Sequence, residues 1–541
     1  MIKKFLAVVI CFLMIINSGF VYASDYNAMK NAFSLYRWSD LDRLVREDSS
    51  FFDLLWDECT IKIDETAKVR DIDKNLLGVH ILTDTFYDYK KGAIKESYQD
   101  VANKMYDVPI FRMGSLGNAV NALKMPEDRE VSYILDDIGY EEYEPGIDYS
   151  KSGVNLSNSP QVPEKILAAL MNNPDAKFIF TIDIKRTYPS ETVDFLHFCT
   201  DENGTSKWAK LRESWGIENP IDVIGLEMGN ELYFMDEEYW TDEEHMQLAI
   251  EWYISTCISH AEAIEYEFPD IKIIPSIDGT PTRSGFETWN VPVITSLAPY
   301  IDYIAVHKYY TISASIFKVN PSFDRIKEII KSTGRDIKIA LTEHSTWDAD
   351  GENRLPMKRQ SLGALLDVMK FMCALLPQEE FYCANYHNFI DETGWGMIRA
   401  GNGTNGVPVI SAIGKGFTML NENYGDSVLL HTVENGSAYT DMNSVNNNLA
   451  CVVMGKEDGT IKVMLVNDSN TREFGINFEL ENEYKLTKVS KITAPNEYSY
   501  IYGSEASDLF EIQNTNFSDN NTFTSYIVPS CSFVILTLEA K

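Results

Sequence analysis

Short apolar runs alternate with longer amphipathic stretches over most of the chain. The runs are Leu76–Leu82, Val108–Met113, Lys177–Asp183, Val223–Met228, Lys272–Ser276, Tyr303–His307, Lys338–Glu343 and Phe381–Tyr386. A short apolar run bounded by turn formers reads as a strand buried on both faces. Between the runs lie segments of helical length, such as Glu244–Glu267 and Lys358–Leu376. Eightfold alternation of strand and helix predicts an α/β fold: a (β/α)8 TIM barrel of parallel strands over residues 76–425. A doubly wound open sheet is the alternative, and the lack of a GxGxxG after the first run weighs against it.

The texture changes at both ends of this region. After a last barrel helix at Val409–Leu420, short alternating runs appear at Leu449–Met454, Ile461–Val466, Phe474–Leu480 and Phe533–Leu538. Turns such as Asp458-Gly459 separate them, so residues 426–541 are expected to form a C-terminal antiparallel β-sandwich. No Pro/Ser linker precedes it, which predicts rigid packing on the barrel. Upstream, Ile61–Asp64 and Lys68–Ile72 alternate like exposed strands that join a sheet elsewhere, placing residues 61–75 outside the barrel. Residues 24–60, with Leu41, Leu44 and Val45 and then Phe51 to Trp56, read as an N-terminal helical segment. In residues 1–23, Lys3-Lys4 precede an apolar core, Phe5–Ile16, and the ending Val21-Tyr22-Ala23. That is the pattern of a signal peptide cleaved after Ala23, and it predicts a secreted, extracellular protein.

Composition narrows the partners. A formal net charge of -34 disfavours nucleic acid and anionic membranes. No stretch after the leader reaches the roughly 18 apolar residues of a spanning helix. Aromatic residues make up 12% of the chain, enough for a large core and for sugar-stacking surfaces. Cys59, Cys199, Cys257, Cys373, Cys383, Cys451 and Cys531 are scattered without CxxC spacing. They read as buried thiols, with one disulfide left open and zinc disfavoured. The acidic run Asp348–Glu352 fails the EF-hand spacing and reads as a solvated loop. No phosphate loop, GxSxG elbow or HExxH motif is present, so neither metal nor cofactor is expected.

Two of the runs end in carboxylic acids. Ile221–Phe234 (IDVIGLEMGNELYF) delivers Glu227, Asn230 and Glu231, and Ile337–Glu343 ends on Glu343. The C-terminal ends of barrel strands share one face, and catalysis sits there. Two carboxyls on that face suffice to cleave a glycosidic bond, with about 5 Å between them in a retaining enzyme. Glu231 is the candidate acid/base, burial being expected to raise its pKa. Glu343 is the candidate nucleophile. Glu227 reads as a supporting hydrogen-bond partner, and the Asn230 amide as a contact for a sugar hydroxyl.

Several segments resemble glycoside hydrolase family 51, the α-L-arabinofuranosidase type of clan A. The likeness runs through Phe198-Cys199, Gly204-Thr205, Lys207–Arg212, Trp215-Gly216 and Pro220 into Glu227-Met228-Gly229-Asn230-Glu231. Ile61–Asp64 with Lys74, Leu76 and Gly78 is similar to the family's opening strand, which implies pairing with the C-terminal sandwich. Tyr424-Gly425-Asp426 and Val528–Val534 resemble the seam and closing strand of that sandwich. The resemblance implies that Arg112 orients the nucleophile, that Asn118 contacts the sugar, and that His307 and Tyr309, in an H-x-Y-Y motif, bind carboxylates or sugar hydroxyls. This chain departs from the family where Asn118 lies six rather than five residues after Arg112, and where His344-Ser345 follow Glu343. After the eighth run the family's glutamine segment is replaced by Tyr386-His387-Asn388, and Trp395 between two glycines is a candidate stacking surface. Asp183 and Asp278 are weaker candidates at strand ends.

The expected function is a retaining glycosidase acting on plant-type polysaccharide fragments, with α-L-arabinofuranose as the favoured sugar. A β-xylosidase, β-glucuronidase or endoglucanase is the alternative enzyme, and a non-catalytic carbohydrate-binding surface protein on a degenerate barrel the alternative class. A homo-oligomer is left open.

Overall fold

The eight runs form a closed parallel barrel in a computed structural model of the chain. The structure describes residues 56–81, 86–88, 93–114, 162–234, 243–280, 285–310, 316–346, 361–391, 395–399, 407–434, 438–439, 449–470, 473–496, 499 and 509–541. The leader, residues 24–55, Asn118 and the acidic run Asp348–Glu352 lie outside the described residues. In chain order the barrel strands are Gly78–Ile81, Ile110–Met113, Lys177–Ile182, Asp222–Met228, Lys272–Ile277, Tyr303–Tyr310, Lys338–Thr346 and Phe381–His387. Each pairs with its sequence neighbour, and the eighth closes on the first through Asn385 to His387.

Strand periodicity divides the barrel interior into layers. Ile110, Ile179, Ile274, Ala305, Ala340 and Cys383 pack together as one buried cluster. Side chains two residues apart point the same way along a strand. The next inward positions are therefore Arg112, Thr181, Ser276, His307, Thr342 and Asn385, all buried and all polar. An apolar plug thus floors the barrel, and a polar layer sits directly on it toward the C-terminal face. Burying that layer is tolerable because Arg112, Thr181, His307 and Thr342 all bond to Glu227, while Asn385 donates to the backbone carbonyls of Val79 and Ile110.

Helices cover the outside. Leu362–Leu375 is buried along its whole length, and Ser361 Oγ caps its start by accepting from Ala364 N at 3.4 Å. A helix apolar all round needs partners on every side. This one lies between the barrel and the C-terminal sheet, where Lys370 Nζ reaches Asp468 Oδ2 at 2.6 Å. The sheet strand Leu449–Gly455 is apolar on both faces for the same reason. Val452 and Met454 join the barrel's cluster, whereas Cys451 and Val453 join the sheet's own.

That ten-stranded sheet is mostly antiparallel and curls around a separate core of Ile61, Ile63, Val463, Leu465, Phe474 and neighbours. The early segment enters it as one strand, Trp56–Asp71, pairing antiparallel with Ser427–Glu434. The two short strands expected here are one, interrupted by register shifts between Asp64 and Arg70. Its start also corrects the helical reading of residues 24–60 at Trp56–Thr60. Trp56–Thr60 are extended, because Cys59 and Ile61 must both point into the sheet core. All seven described cysteines are buried free thiols. No helix among the described residues is long and apolar enough to cross a membrane.

Candidate active site

Arg112 is the hub of the polar layer. Fully buried at the end of the second strand, it donates from Nε to Glu227 Oε2 at 2.6 Å and from Nη2 to Asn230 Oδ1 at 2.8 Å. Its Nη1 donates to Glu343 Oε1. One guanidinium therefore ties the fourth and seventh strands together through planar charge-assisted bonds, which a lysine could not reproduce. Burial opposes its charge, but Glu227 and Glu343 hold the pKa above the usual arginine value.

Glu343 reaches this layer through a local irregularity. Alternation along Leu341-Thr342-Glu343 would send Thr342 inward and Glu343 outward. The register with the sixth strand slips here, from Leu341 opposite Val306 to Glu343 opposite His307. Two residues thus stand against one, and a bulge of this kind re-aims a side chain. Thr342 Oγ1 can then donate to Glu227 Oε1 at 3.3 Å while Glu343 also enters the cavity. The Tyr309 hydroxyl donates to Glu343 Oε2. Burial disfavours the Glu343 charge, yet His307 and Arg112, with His80 and His387 beyond them, hold its pKa well below the usual carboxylate range.

Glu231 is delivered differently. Gly229 turns the chain with φ +78°, and a Cβ there would stand 2.3 Å from Leu232 Cδ1. Glu231 itself has φ 50°, a left-handed conformation costing about 1–3 kcal/mol in a non-glycine residue. The turn lifts its carboxyl to the rim, where the side chain is 31% exposed. The burial expected for Glu231 is found instead at Glu227 and Glu343. Tyr233 donates its hydroxyl to Glu231 Oε1 at 3.0 Å.

His307 links all three acids. Its Nε2 stands 3.3 Å from Glu227 Oε1; its Nδ1 stands 3.0 Å from Glu231 Oε1 and 3.6 Å from Glu343 Oε2. Burial works against its charge, but Glu343, Glu227 and Glu231 push its pKa up to about 10. At neutral pH it is an imidazolium donating from both nitrogens. Burial likewise works against the Glu227 charge, and Arg112 with His307 outweighs it, keeping that pKa below the usual value.

The remaining wall comes from the first and eighth strands. His80 places Nδ1 2.8 Å from His387 Nδ1 and 3.4 Å from Glu343 Oε1. His387 and Trp395 meet edge to face with centroids 5.4 Å apart, and Tyr309 lies 5.9 Å from His387. Trp395 is fixed by Nε1 donating to Thr346 O at 3.1 Å. The structure thus brings together Glu227, Asn230, Glu231, Glu343, Arg112, His307, Tyr309, His387 and Trp395. Asp183 and Asp278 serve local turns, accepting from Lys185 N at 3.1 Å and Thr280 N at 2.8 Å. His80, Thr181, Tyr233 and Thr342 were not singled out in the sequence. The one available signal was His80, a lone polar residue within an apolar strand.

A parallel barrel with acids closing its fourth and seventh strands over one cavity has the architecture of clan A glycoside hydrolases. Residues 167–327 match the model of the alpha-L-arabinofuranosidase 1 domain. An intracellular exo-alpha-(1->5)-L-arabinofuranosidase of Acetivibrio thermocellus is 23% identical over 311 residues, which cover 53% of this chain and 58% of that protein. The chain therefore spans little more than half the length of that relative. The alpha-L-arabinofuranosidase of Thermotoga maritima, solved with arabinose, superposes with TM-score 0.68 at 18% identity, covering 89% of this chain and all of that one. A family 51 alpha-L-arabinofuranosidase from Bifidobacterium longum gives 0.68 at 16%, covering 89% and 99%. In fold the chain is similar to these family 51 arabinofuranosidases, and residues 167–327 carry the likeness in sequence.

Proposed function

We propose that this protein is a secreted, retaining exo-glycosidase that removes α-L-arabinofuranosyl groups from plant-type polysaccharide or oligosaccharide. The observation carrying this reading is that Glu231 and Glu343 flank one nitrogen of His307 at 3.0 and 3.6 Å. Two carboxyls converging on one imidazole nitrogen can serve a single anomeric carbon, as double displacement requires. Their environments suit opposite roles. Glu343, buried and held ionised by Arg112 and His307, is the nucleophile; Tyr309 fixes its other oxygen. Glu231, at the rim where solvent reaches it, can pass a proton to the departing oxygen and later take one from water. Asn230, held by Arg112 Nη2, presents its amide to the sugar. Trp395 and Tyr309 offer apolar faces to the ring.

The favoured sugar follows from the arabinofuranosidase likenesses, and secretion rests on the Met1–Ala23 pattern, in contrast to the intracellular relative. A panel of aryl glycosides tests the activity. Hydrolysis of the α-L-arabinofuranoside is expected, with azide partly rescuing Glu343→Ala and giving the inverted glycosyl azide. Preference for a xyloside, glucuronide or cellooligosaccharide replaces the sugar but keeps the mechanism, and hydrolysis of none favours a binding protein. Mass analysis of protein from the culture medium tests cleavage after Ala23.

A further inference from the structure

The nucleophile Glu343 forms a compact donor set with His80 and His387, two histidines to which the glycosidase mechanism gives no role. One ligating atom from each, all buried, lies within 4.8 Å of the others. His80 Nδ1 is 2.8 Å from His387 Nδ1 and 3.4 Å from Glu343 Oε1. Donors bound to one ion with bonds near 2.1 Å stand about 3–3.5 Å apart, so the His80–Glu343 spacing already suits an ion and the two histidine nitrogens must part to admit it. Two imidazoles and a carboxylate suit zinc, or another divalent ion that favours nitrogen. The outer contacts fit as well. His80 Nε2 lies 2.8 Å from Gly114 O, a backbone carbonyl that can only accept, so Nε2 carries the hydrogen and Nδ1 presents its lone pair, accepting from His387 Nδ1; a metal replaces that proton, which moves to His387 Nε2. Metal-ligating histidines are characteristically held in this way. Arg112 Nη1 lies 3.2 Å from that Nε2 and also donates to Glu343 Oε1, so the guanidinium borders the cluster and an ion takes the lone pair of Oε1 that Arg112 leaves.

We propose that these residues form an inhibitory site for a zinc-class divalent cation, which binds the glycosidase by ligating its nucleophile. Ligation takes the lone pair of Glu343 Oε1 that faces the histidines and puts a cation against the nucleophile, next to His387, which packs on the Tyr309 and Trp395 rings offered to the sugar. Metal and substrate therefore exclude one another. The three ligands come from the first, seventh and eighth strands, so no local spacing in the sequence announces them. The inhibitory consequence rests on the proposed glycosidase reading; the binding itself does not.

Cobalt(II) binding to the full-length protein, read by equilibrium dialysis and by visible ligand-field absorption, tests the site. One tightly bound equivalent is expected, displaced by zinc. In His387→Gln, which keeps side-chain bulk but removes the imidazole, affinity should fall at least about tenfold. His80→Gln should behave alike, and circular dichroism of both variants shows whether the fold is kept. In parallel, zinc should inhibit aryl glycoside hydrolysis competitively and EDTA should restore it. Absence of a stoichiometric site, or undiminished binding by both folded variants, overturns the proposal. Hydrolysis without metal binding removes this inference alone. Metal binding lost in the variants, with no hydrolysis of any glycoside, keeps the site and removes the glycosidase reading.

Discussion

Glu343 and Glu231 carry the same functional group on one face of one barrel, yet their surroundings are opposite. Glu343 is 6% exposed at its side chain and contacts Arg112, Tyr309 and His80. Glu231 is 31% exposed, sits on a strained turn and bonds to His307 and Tyr233. Charge is stabilised where hydrogen-bond donors converge, and protons exchange where solvent reaches. In the proposed mechanism the deeper acid, where donors converge, is the fixed anion and the rim acid the proton carrier, with His307 between them.

The largest expected effect comes from removing the deeper acid. Glu343→Ala should lower kcat by about 10⁴-fold or more on every glycoside, whatever the leaving group. An equal loss for good and poor leaving groups identifies the nucleophile. Glu231→Ala should differ in kind. A loss of about 10²–10⁴-fold is expected for leaving groups that need protonation, and little loss in glycosylation rate for a dinitrophenyl leaving group. Pre-steady-state kinetics with the two aryl glycosides separates these cases, and identical losses would erase the distinction between the acids.

Arg112→Met sharpens the comparison from the other side. Without the guanidinium, Glu227 and Glu343 face each other with His307 as their main cation, and urea unfolding should show about 3–5 kcal/mol of lost stability. The Glu343 pKa should rise, moving the acid limb of kcat/KM to higher pH; an unmoved limb would contradict the role given to Arg112.

Stability should also follow pH with a definite sign. The depressed pKa of Glu343 contributes stability above the usual carboxylate range, lost as pH falls through its folded value. The raised pKa of His307 contributes stability that is complete below about 6.5 and lost as pH rises toward about 10. His307→Asn should therefore flatten the alkaline decline between those values, as read from thermal melts across pH. The smallest effect concerns backbone strain. Glu231→Gly should be more stable than Glu231→Ala by about 1 kcal/mol, because only glycine relaxes at φ 50°.

Much of this was legible in the sequence, for physical reasons. All eight barrel strands are buried on both faces, so each stood out as an apolar run. Glu231 followed a Gly-Asn turn at a strand end and Glu343 closed the seventh run, positions that a barrel assigns to its working face. What escaped depended on neighbours distant in sequence. His80 looked like any core histidine, since its partners Gly114, His387 and Glu343 come from other segments. The bulge at Thr342 was invisible because it exists only in the register with Tyr303–Tyr310. Burial was expected at Glu231 from its motif, but the turn at Gly229 carries it outward and leaves burial to Glu227. Trp56–Thr60 read as helical from apolar density alone, whereas pairing in the C-terminal sheet makes the segment extended.

The division of labour between the two acids is tested most directly by trapping the covalent intermediate. A 2-deoxy-2-fluoro arabinofuranosyl donor with an activated leaving group should inactivate the enzyme with time. Peptide mapping by mass spectrometry should then find the sugar on Glu343. A label on Glu231 or Glu227, or hydrolysis with inversion at the anomeric carbon and no label, would contradict the account.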